Sequence, residues 1–306
     1  MKKFELTTES IINALGTKVF RIKALISFGI VKAGDIGGYI EKEENLSNDG
    51  DAWVFGNAQV FGGAFVSDDA QVSGNAWVYD NAQVYDDARV TGNVLMHNNA
   101  QVYGNAWVFG DARISGNAQV YGDAQIFDDA RVYGDTWVFG DARVYGNAQV
   151  FGNAWVSGDV LVYGNAKVYG DAQVYGNARV LDYAWVFNNA RVYGYAWVGG
   201  DVQVYDNAQI FGDVQVYDNA RMCCNARVSS GADYACIRGF GRSYRNTTFF
   251  RCADGKVRVS CGCFFGDVKQ FREIVKETHG CNKMAEEYLM IADLMELHFE
   301  EKSGNE

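Results

Sequence analysis

A six-residue repeat fills most of this chain and leaves few folds open to it. From Asp51 to Ser230 the sequence divides without insertion into thirty hexads of the form [N/D]-A-x-V-[Y/F]-G. The second and fourth positions are apolar, while the third and fifth vary, which is the alternation of a half-buried strand. Gly, Asn and Asp at the other two positions tolerate the positive φ angles of sharp corners. The repeat therefore predicts a strand and a corner every six residues.

Such short strands satisfy their backbone groups only when one coil stacks on the next. A six-residue side with an interior of Ala and Val fits a narrow triangular prism, so the thirty hexads predict about ten three-sided coils. Parallel strands spaced ~4.8 Å apart would make this prism about 48 Å long. The chain contains no proline, so no backbone donor of the predicted ladders is missing.

The order V-Y-G-N-A-Q resembles the hexapeptide repeat of left-handed parallel β-helix proteins, in which an aliphatic residue is followed four positions later by a small one. The resemblance covers all thirty hexads. It implies the fold class, a mainly β protein built on a left-handed parallel β-helix, and the hand comes from the resemblance because periodicity does not set it. Upstream, FRIKALISFGIVKAGDIGGYIEKEENLS is similar to the first segment of YdcK-like hexapeptide-repeat proteins of bacteria and phages. Such relatives are described as acetyltransferases by fold similarity.

The departures from the repeat predict three domains. Residues 1–50 are expected to form a small cap over the first coil, because a solenoid must hide its open edge. Residues 51–230 are the β-helix, and residues 231–306 are an α+β tail. In the tail, Asp254-Gly255 predicts a two-residue hairpin turn that places Cys252 opposite Val257 and Thr248 opposite Cys261. Phe250 would then share a face with Val257, Val259, Cys261 and Cys263.

Two helices are expected to complete the tail. Asp267 is placed to cap the first helix and Gly280 to end it. The second is expected from about Asn282 to Phe299, with an apolar stripe at helical spacing formed by Met284, Tyr288, Ile291 and Met295.

The composition limits where the protein acts and what it binds. A net charge of −11 argues against direct binding of the β-helix to nucleic acid or to an anionic membrane, because both would be repelled. No apolar run has the length of a signal peptide or a membrane span, which predicts a cytoplasmic protein, in the host if the chain is encoded by a phage. Seven irregularly spaced cysteines, with a vicinal pair at Cys223 and Cys224, favour free thiols over a disulfide framework.

Candidates for catalysis or metal binding are few. The repeat has a single histidine, His97, at a fifth position where most hexads carry Tyr or Phe. It is interpreted as a solvated substitution in an aromatic column, with a catalytic base as the weaker alternative. Cysteines in the tail, with His279, offer a zinc or nucleophile constellation, but the predicted register separates Cys252 from Cys261 and places Cys261 and Cys263 on a core face. No metal site is predicted there; these cysteines are Cys252, Cys261, Cys263 and Cys281.

The acidic residues form a regular pattern. All nineteen acidic residues of the repeat are Asp at corner positions, and against nine Lys or Arg they leave the β-helix at −10. Residues 18 apart share a corner, which defines an acidic edge of Asp51, Asp68, Asp69, Asp86, Asp87, Asp123, Asp141 and Asp159. Asp is a good corner residue, and that interpretation is favoured. The alternatives are calcium or magnesium sites along the edge, or a negative rail that imitates a nucleic-acid backbone.

Aromatic side chains point outward in unusual number. Tyr or Phe fills twenty of the thirty fifth positions, and all seven tryptophans occupy third positions. Stacking between coils explains much of this. The 18-residue period places Gln83, Gln101, Gln119, Trp137 and Trp155 in one vertical line. That line, or the equivalent face around Trp107, is the predicted contact surface for a protein partner or another subunit.

These observations favour a non-enzymatic binding or scaffold protein, phage-encoded by resemblance, whose acidic and aromatic rod engages a protein partner or self-associates as a dimer or trimer. A cluster of arginines in the tail would contribute to partner binding or to oligomerisation. Two alternatives remain open: an acyltransferase that uses acetyl-CoA and His97, and an inhibitor that imitates nucleic acid. No cofactor is expected under the favoured hypothesis. The cluster consists of Arg238, Arg242, Arg245, Arg251 and Arg258.

Overall fold

A computed structural model describes residues 2–241 and 244–300. The chain divides into two compact units, with the division between Gly170 and Asp171. The fold is mainly β: antiparallel strands at the N-terminus, a parallel β-solenoid of about eleven turns, and an antiparallel sheet with two helices at the C-terminus. No helix in the described ranges is both long and apolar enough to cross a membrane.

The first unit begins with three strands, Phe4–Ile12, Lys18–Ala24 and Ile36–Ile40, paired antiparallel in chain order. The third also pairs in parallel with the first hexads, since Tyr39 lies opposite Gln59. After a 3-10 helix at Glu43–Asn45, the amide of Ser47 donates to the carbonyl of Val66 at 2.8 Å. This segment lacks the hexad pattern but supplies a turn of solenoid, which accounts for about eleven turns where the repeat predicted about ten.

Three parallel sheets form the sides of the solenoid in the first unit. The inward Ala and Val of each hexad are fully buried, as the alternation predicted; Ala82, Val84, Ala100 and Val102 are all 0% exposed. We name the sides the Gln–Trp face, the second face and the third face. The Gln–Trp face comprises Phe65–Val66, Gln83–Val84, Gln101–Val102, Gln119–Val120, Trp137–Phe139 and Trp155–Gly158.

The other two sides carry the cationic third positions. The second face comprises Gln59–Val60, Trp77–Val78, Leu95–Met96, Arg113–Ile114, Arg131–Gly134, Gln149–Gly152 and Lys167–Val168. The third face comprises Trp53–Val54, Gln71–Val72, Arg89–Val90, Trp107–Val108, Gln125–Ile126, Arg143–Val144 and Leu161–Val162.

The second unit has the same arrangement over its own hexads and then the tail. Within it, Gln173 pairs with Arg191, Arg179 with Trp197, and Trp185 with Gln203. Its solenoid strands are Gln173–Gly176, Arg179–Val180, Trp185–Val186, Arg191–Val192, Trp197–Val198, Gln203–Val204, Gln209–Ile210, Gln215–Val216, Arg221–Met222 and Arg227–Val228.

The tail is a four-stranded antiparallel sheet followed by two helices. After a 3-10 helix at Gly231–Asp233, its strands are Tyr234–Phe240, Arg245–Arg251, Val257–Cys261 and Phe264–Asp267. Helix α1, Val268–His279, has Asp267 as its cap, which accepts from the amide of Gln270 at 2.8 Å, and Gly280 at its end. Helix α2, Lys283–Phe299, begins after its cap Asn282. Both helix predictions are confirmed, although Met284 is only half-buried.

The predicted register of the tail hairpin is wrong by one residue. Arg251, not Cys252, lies opposite Val257, and Thr247, not Thr248, lies opposite Cys261. The loop holds three residues rather than two, because Gly255 (φ 76°) donates to the carbonyl of Cys252 at 2.9 Å and Lys256 accepts from the amide of Cys252. The shift places Phe249, not Phe250, in the core cluster with Val257, Val259 and Cys261.

The solenoid corners require the conformations that the repeat predicted. The sixth position of the hexads is left-handed, usually at Gly, and a Cβ added to Gly92 (φ 91°) would lie 2.7 Å from the carbonyl oxygen of Gly110. Gly56 (φ 61°) is also left-handed, but its nearest contact would be 3.4 Å. The spacing between coils, and not φ alone, therefore limits these sites.

We predict that Gly92→Ala lowers the free energy of unfolding by about 1–3 kcal/mol, because the added methyl group meets the backbone of the next coil. Gly56→Ala is the matched control and is expected to cost less, since its methyl group has room. Chemical denaturation followed by circular dichroism measures both. Equal losses in the two variants would contradict the steric account.

Candidate functional site

The Gln–Trp face carries a continuous line of outward third positions. Gln83 pairs with Gln101, Gln101 with Gln119, Gln119 with Trp137, and Trp137 with Trp155. The predicted vertical line is therefore present in the register of the sheet. Its last two members are stacked indoles, with ring centroids 4.9 Å apart and planes 8° apart. Trp155 remains 43% exposed.

A second column of rings runs beside this line at the fifth positions. Tyr85, Tyr103, Tyr121 and Phe139 are stacked in sequence with centroids 4.8 Å apart. The ring of Phe139 also meets Trp155 edge-on at 6.4 Å, so the tyrosine column leads into the indole pair. Parallel strands of a solenoid have this same spacing, which is why the rings stack without adjustment. The face thus presents a flat, largely aromatic surface with preset geometry.

Charge is distributed unequally among the three sides. The hexads of the first unit contain five cations, Arg89, Arg113, Arg131, Arg143 and Lys167, and all five lie on the second or third face. The Gln–Trp face has no cationic strand residue. The corner that follows its strands is the acidic edge, for Asp68, Asp86, Asp123, Asp141 and Asp159 each come one to three residues after the end of one of these strands. The aromatic surface and the acidic edge are therefore adjacent parts of one side.

Four carboxylates of this edge hold neighbouring coils together. Asp69 accepts from the amide of Asp51 at 2.9 Å, and Asp86 accepts from the amide of Gly104 at 3.0 Å. Asp68 reaches the amide of Asp86 at 3.5 Å, and Asp123 accepts from the side-chain amide of Asn105 at 2.9 Å. These contacts agree with the interpretation of Asp as a corner residue.

The two aspartates that follow the tryptophan strands do not make such contacts in the part of the chain that the structure describes. Within the described residues no hydrogen bond or ion pair involves the exposed carboxylates of Asp141 and Asp159, which follow the strands of Trp137 and Trp155. The carboxylates of the edge also do not come together as metal ligands. Among the described residues, three side chains of His, Cys, Asp or Glu bring their ligand atoms within 4.8 Å of one another only at Asp206, Cys223 and Cys224. Among the described residues, the carboxylates of this edge therefore form no preformed cage for the calcium or magnesium ions of the alternative interpretation.

The other predicted aromatic contact, Trp107, lies on the third face. It pairs with Arg89 and Gln125 and is 41% exposed. Its ring leans against Phe109 at 4.6 Å and has no indole neighbour. Trp53, also on this face, is 1% exposed because Phe4 and Phe28 of the N-terminal segment cover it edge-on. The outward tryptophans are therefore not equivalent.

His97 lies in the aromatic column of the second face. Its ring stacks on Tyr79 with centroids 5.0 Å apart, and its Nδ1 is hydrogen bonded to Oδ1 of Asn98 and lies 4.0 Å from Oδ2 of Asp80. Phe61 stacks on the other side of Tyr79 at 5.1 Å. His97 therefore has the stacking contacts of one ring in an aromatic column. Catalysis by His97 stays a prediction.

The tail separates the residues that the zinc hypothesis grouped. Cys261, Cys263 and His279 line a cavity of about 720 Å³, which also contains Arg245 and Tyr288. Cys252 lies instead beside the last solenoid hexads, bridged to Ala226, and Cys281 is exposed. The hydroxyl of Thr247 donates to the sulfur of Cys261 at 3.2 Å. The structure does not bring these sulfurs together as a metal cage.

The tail arginines also do not act as one group. Arg251 lies 3.5 Å from the carboxylate of Asp233 and donates to the carbonyl of Phe299, while Arg258 pairs with Asp254 at 2.9 Å. Arg238 and Arg245 are exposed. Arg242 lies outside the described residues. Two of the five are therefore used within the tail itself.

Two features escaped the sequence analysis although the 18-residue period contains them. Sorting the cationic third positions by that period separates them from the Gln–Trp face. The same offset places Cys223 after Tyr205 and Cys224 after Asp206, which assembles the one convergent ligand group in the described chain. Both required residues to be compared between coils and not along the chain.

Comparison with known protein families agrees with this geometry. The profile of the YdcK beta solenoid repeat matches residues 70–83, 82–98, 100–116, 124–140, 142–158, 148–164, 172–187 and 184–200. The chain carries YdcK beta-solenoid repeats. No curated protein matches it significantly. The matched YdcK repeats lie in both units and include the strands of Trp107, Trp137 and Trp155.

The tyrosine column has a measurable consequence at alkaline pH. Burial raises the pKa of Tyr103 to about 12, with further contributions from Tyr85 and Tyr121 on the adjacent coils. In an unfolded chain a tyrosine titrates near ~10. Between these two values the unfolded chain loses its proton first, so stability is full below about pH 10 and falls as the pH rises toward 12.

We predict that Tyr103→Phe makes the free energy of unfolding less dependent on pH in this window, because it removes one phenol whose proton the fold retains. Urea denaturation at pH 9 and at pH 11 measures the difference. The wild-type chain should lose more stability between the two conditions than the variant. An equal loss in both proteins would contradict the effect of column burial on this phenol.

Proposed function

We propose that the protein is a non-enzymatic binding scaffold whose Gln–Trp face engages a basic segment of a protein partner. The observation that carries the proposal is the Trp137–Trp155 stack, 4.9 Å between centroids, beside the exposed carboxylates of Asp141 and Asp159. Aromatic faces attract cations, and carboxylates beside them supply hydrogen bonds and net charge. Lysine or arginine side chains satisfy both groups at once.

The rest of the face supports the same partner. It has no cation that would repel a basic segment, and its glutamines offer both donors and acceptors to an extended chain. The tyrosine column beside them supplies rigid aromatic area, which binds at low cost in conformational entropy. A nucleic acid is disfavoured as the partner because its phosphates would meet the acidic edge.

A rigid solenoid is well suited to this role. Its inward residues are fully buried, its corners are fixed by left-handed glycines, and its rings are stacked before any partner arrives. Binding to such a surface loses little ordering entropy, which is the advantage of a preorganised site. The proposal needs no acetyl-CoA and no cofactor.

A labelled peptide of alternating arginine and tyrosine is the probe for a first test. We expect the full-length chain to bind it, with affinity that falls as salt rises, because the attraction is partly electrostatic. Trp155→Ala is expected to weaken binding about tenfold, which corresponds to roughly 1.4 kcal/mol. Fluorescence anisotropy measures the affinity, and the intrinsic tryptophan emission reports the same titration.

Trp107→Ala is the matched control, because Trp107 is exposed to a similar extent (41% against 43%) but lies on the face with Arg89 and Arg143. It should leave the affinity unchanged. Asp141→Asn with Asp159→Asn should weaken binding and reduce its salt dependence. Equal effects of Trp107→Ala and Trp155→Ala, or no peptide binding by the wild-type chain, would overturn the proposal.

A further inference from the structure

The last coil of the second unit interrupts an aromatic column with two adjacent cysteines. Phe187 and Tyr205 stack with centroids 5.0 Å apart, and the next position of this column is Cys223 in place of a ring. Cys224 occupies the following corner with φ 58°, where the repeat has Gly, Asp or Asn. The register is fixed by the backbone, since the amide of Tyr205 donates to the carbonyl of Met222 at 2.9 Å. The replacement of a ring by Cys223 is therefore local and leaves the backbone pairing between the coils unchanged.

The three nearest ligand atoms already have metal-like spacing. One carboxylate oxygen of Asp206 and the sulfurs of Cys223 and Cys224 lie within 4.8 Å of one another. The two sulfurs are 3.7 Å apart. Two thiolates on one tetrahedral zinc, each ~2.3 Å from the metal, are separated by about 3.8 Å. The pair thus needs almost no movement to hold a zinc ion.

The carboxylate is held in place by its own hydrogen bonds. Oδ2 of Asp206 accepts from the amide of Cys224 at 3.2 Å, and Oδ1 accepts from the side-chain amide of Asn188 at 3.2 Å. Each oxygen keeps a further lone pair, and ligands oriented by such outer hydrogen bonds bind metals more tightly. The hydrogen bonds at this corner therefore hold the carboxylate of Asp206 near the two sulfurs.

The tail places a third thiol beside the same coil. Cys252 forms an isolated antiparallel β-bridge with Ala226, and the amide of Ala253 donates to the carbonyl of Asn225 at 2.9 Å. The hairpin loop therefore lies against the hexad that follows the cysteine pair. Cys252 is buried, as is Cys223. The hairpin loop therefore places a buried thiol next to the coil that carries Cys223 and Cys224.

We propose that Asp206, Cys223 and Cys224 bind a thiophilic divalent cation, namely Zn²⁺. Cys252 of the hairpin loop would be the fourth ligand. Sulfur ligands select such an ion over calcium or magnesium. Binding displaces the thiol protons and ties the hairpin loop to the last coil, which strengthens the covered end of the solenoid. This site is independent of the Gln–Trp face.

The test titrates the full-length, metal-free, reduced chain with Cd²⁺ and with Zn²⁺. Cd²⁺ should give an ultraviolet thiolate-to-metal absorption band that saturates at one equivalent. Zn²⁺ in calorimetry should bind at one equivalent and release protons, which is detected by comparing two buffers of different ionisation enthalpy. Cys223→Ser with Cys224→Ser should abolish the band, and Cys252→Ser should weaken affinity about tenfold or more.

Two sets of variants keep the result interpretable. Cys263→Ser with Cys281→Ser changes two exposed thiols outside the site and should leave the titration unchanged. Asp206→Asn retains a residue that this corner already accepts at Asn188, so folding should persist while the affinity falls. Absence of a stoichiometric band in the wild-type chain, or its loss in the Cys263/Cys281 variant, would overturn the proposal. A band unaffected by Asp206→Asn would remove the carboxylate from it.

Discussion

The architecture depends on one backbone hydrogen bond, made again on every coil. A strand amide donates to the carbonyl 17 residues later, as Gln83 does to Ala100 at 2.9 Å and Gln101 does to Ala118 at 2.9 Å. Because each coil is 18 residues long, this bond places every residue directly beside its equivalent on the next coil. Columns of rings, lines of glutamine and ladders of asparagine are all consequences of that register. A single inserted residue would move each side chain to a different position, and the repeat tolerates none.

The same constraint explains why so much of the fold could be predicted. The alternation within a hexad decides which residues face inward, and the period of 18 decides which residues meet, so both follow from letters alone. The line from Gln83 to Trp155 was predicted in this way and is present. The predictions failed where no repeat existed. Strand Ile36–Ile40 pairs with the first hexads of the solenoid, but its sequence has no periodic pattern from which this pairing could be predicted. In the tail, a left-handed Gly255 closed a three-residue loop, and this one residue moved every cross-strand partner.

The candidate surface was only partly predictable for a different reason. Its aromatic members are visible in the sequence, but the role of each Asp depends on what lies one coil away. Asp123 accepts from the side-chain amide of Asn105 at 2.9 Å, whereas Asp141, one coil later on the same edge, has no such donor within the described residues. Identical residues at equivalent positions thus serve structure at one height and remain available at another. The residue one coil earlier separates the two, because Asn105 offers an amide to Asp123, while Asp123 has no side-chain N–H to offer Asp141.

The ends of the columns are where this solenoid is free to change. A ring inside a column is stacked on two neighbours, as Tyr103 is on Tyr85 and Tyr121, while a ring at an end has one. Replacing an end ring therefore costs roughly half of the stacking energy, which is about 0.5–1.5 kcal/mol per pair. His97, stacked on Tyr79 and followed by Ser115, and Cys223, next after Tyr205, are both such positions. At the second of them the corner one coil earlier supplies Asp206, so an inexpensive substitution lies where ligand atoms of two coils already converge. A repeat that fixes every interior position thus concentrates the replacement of its outward rings at the positions where stacking stops.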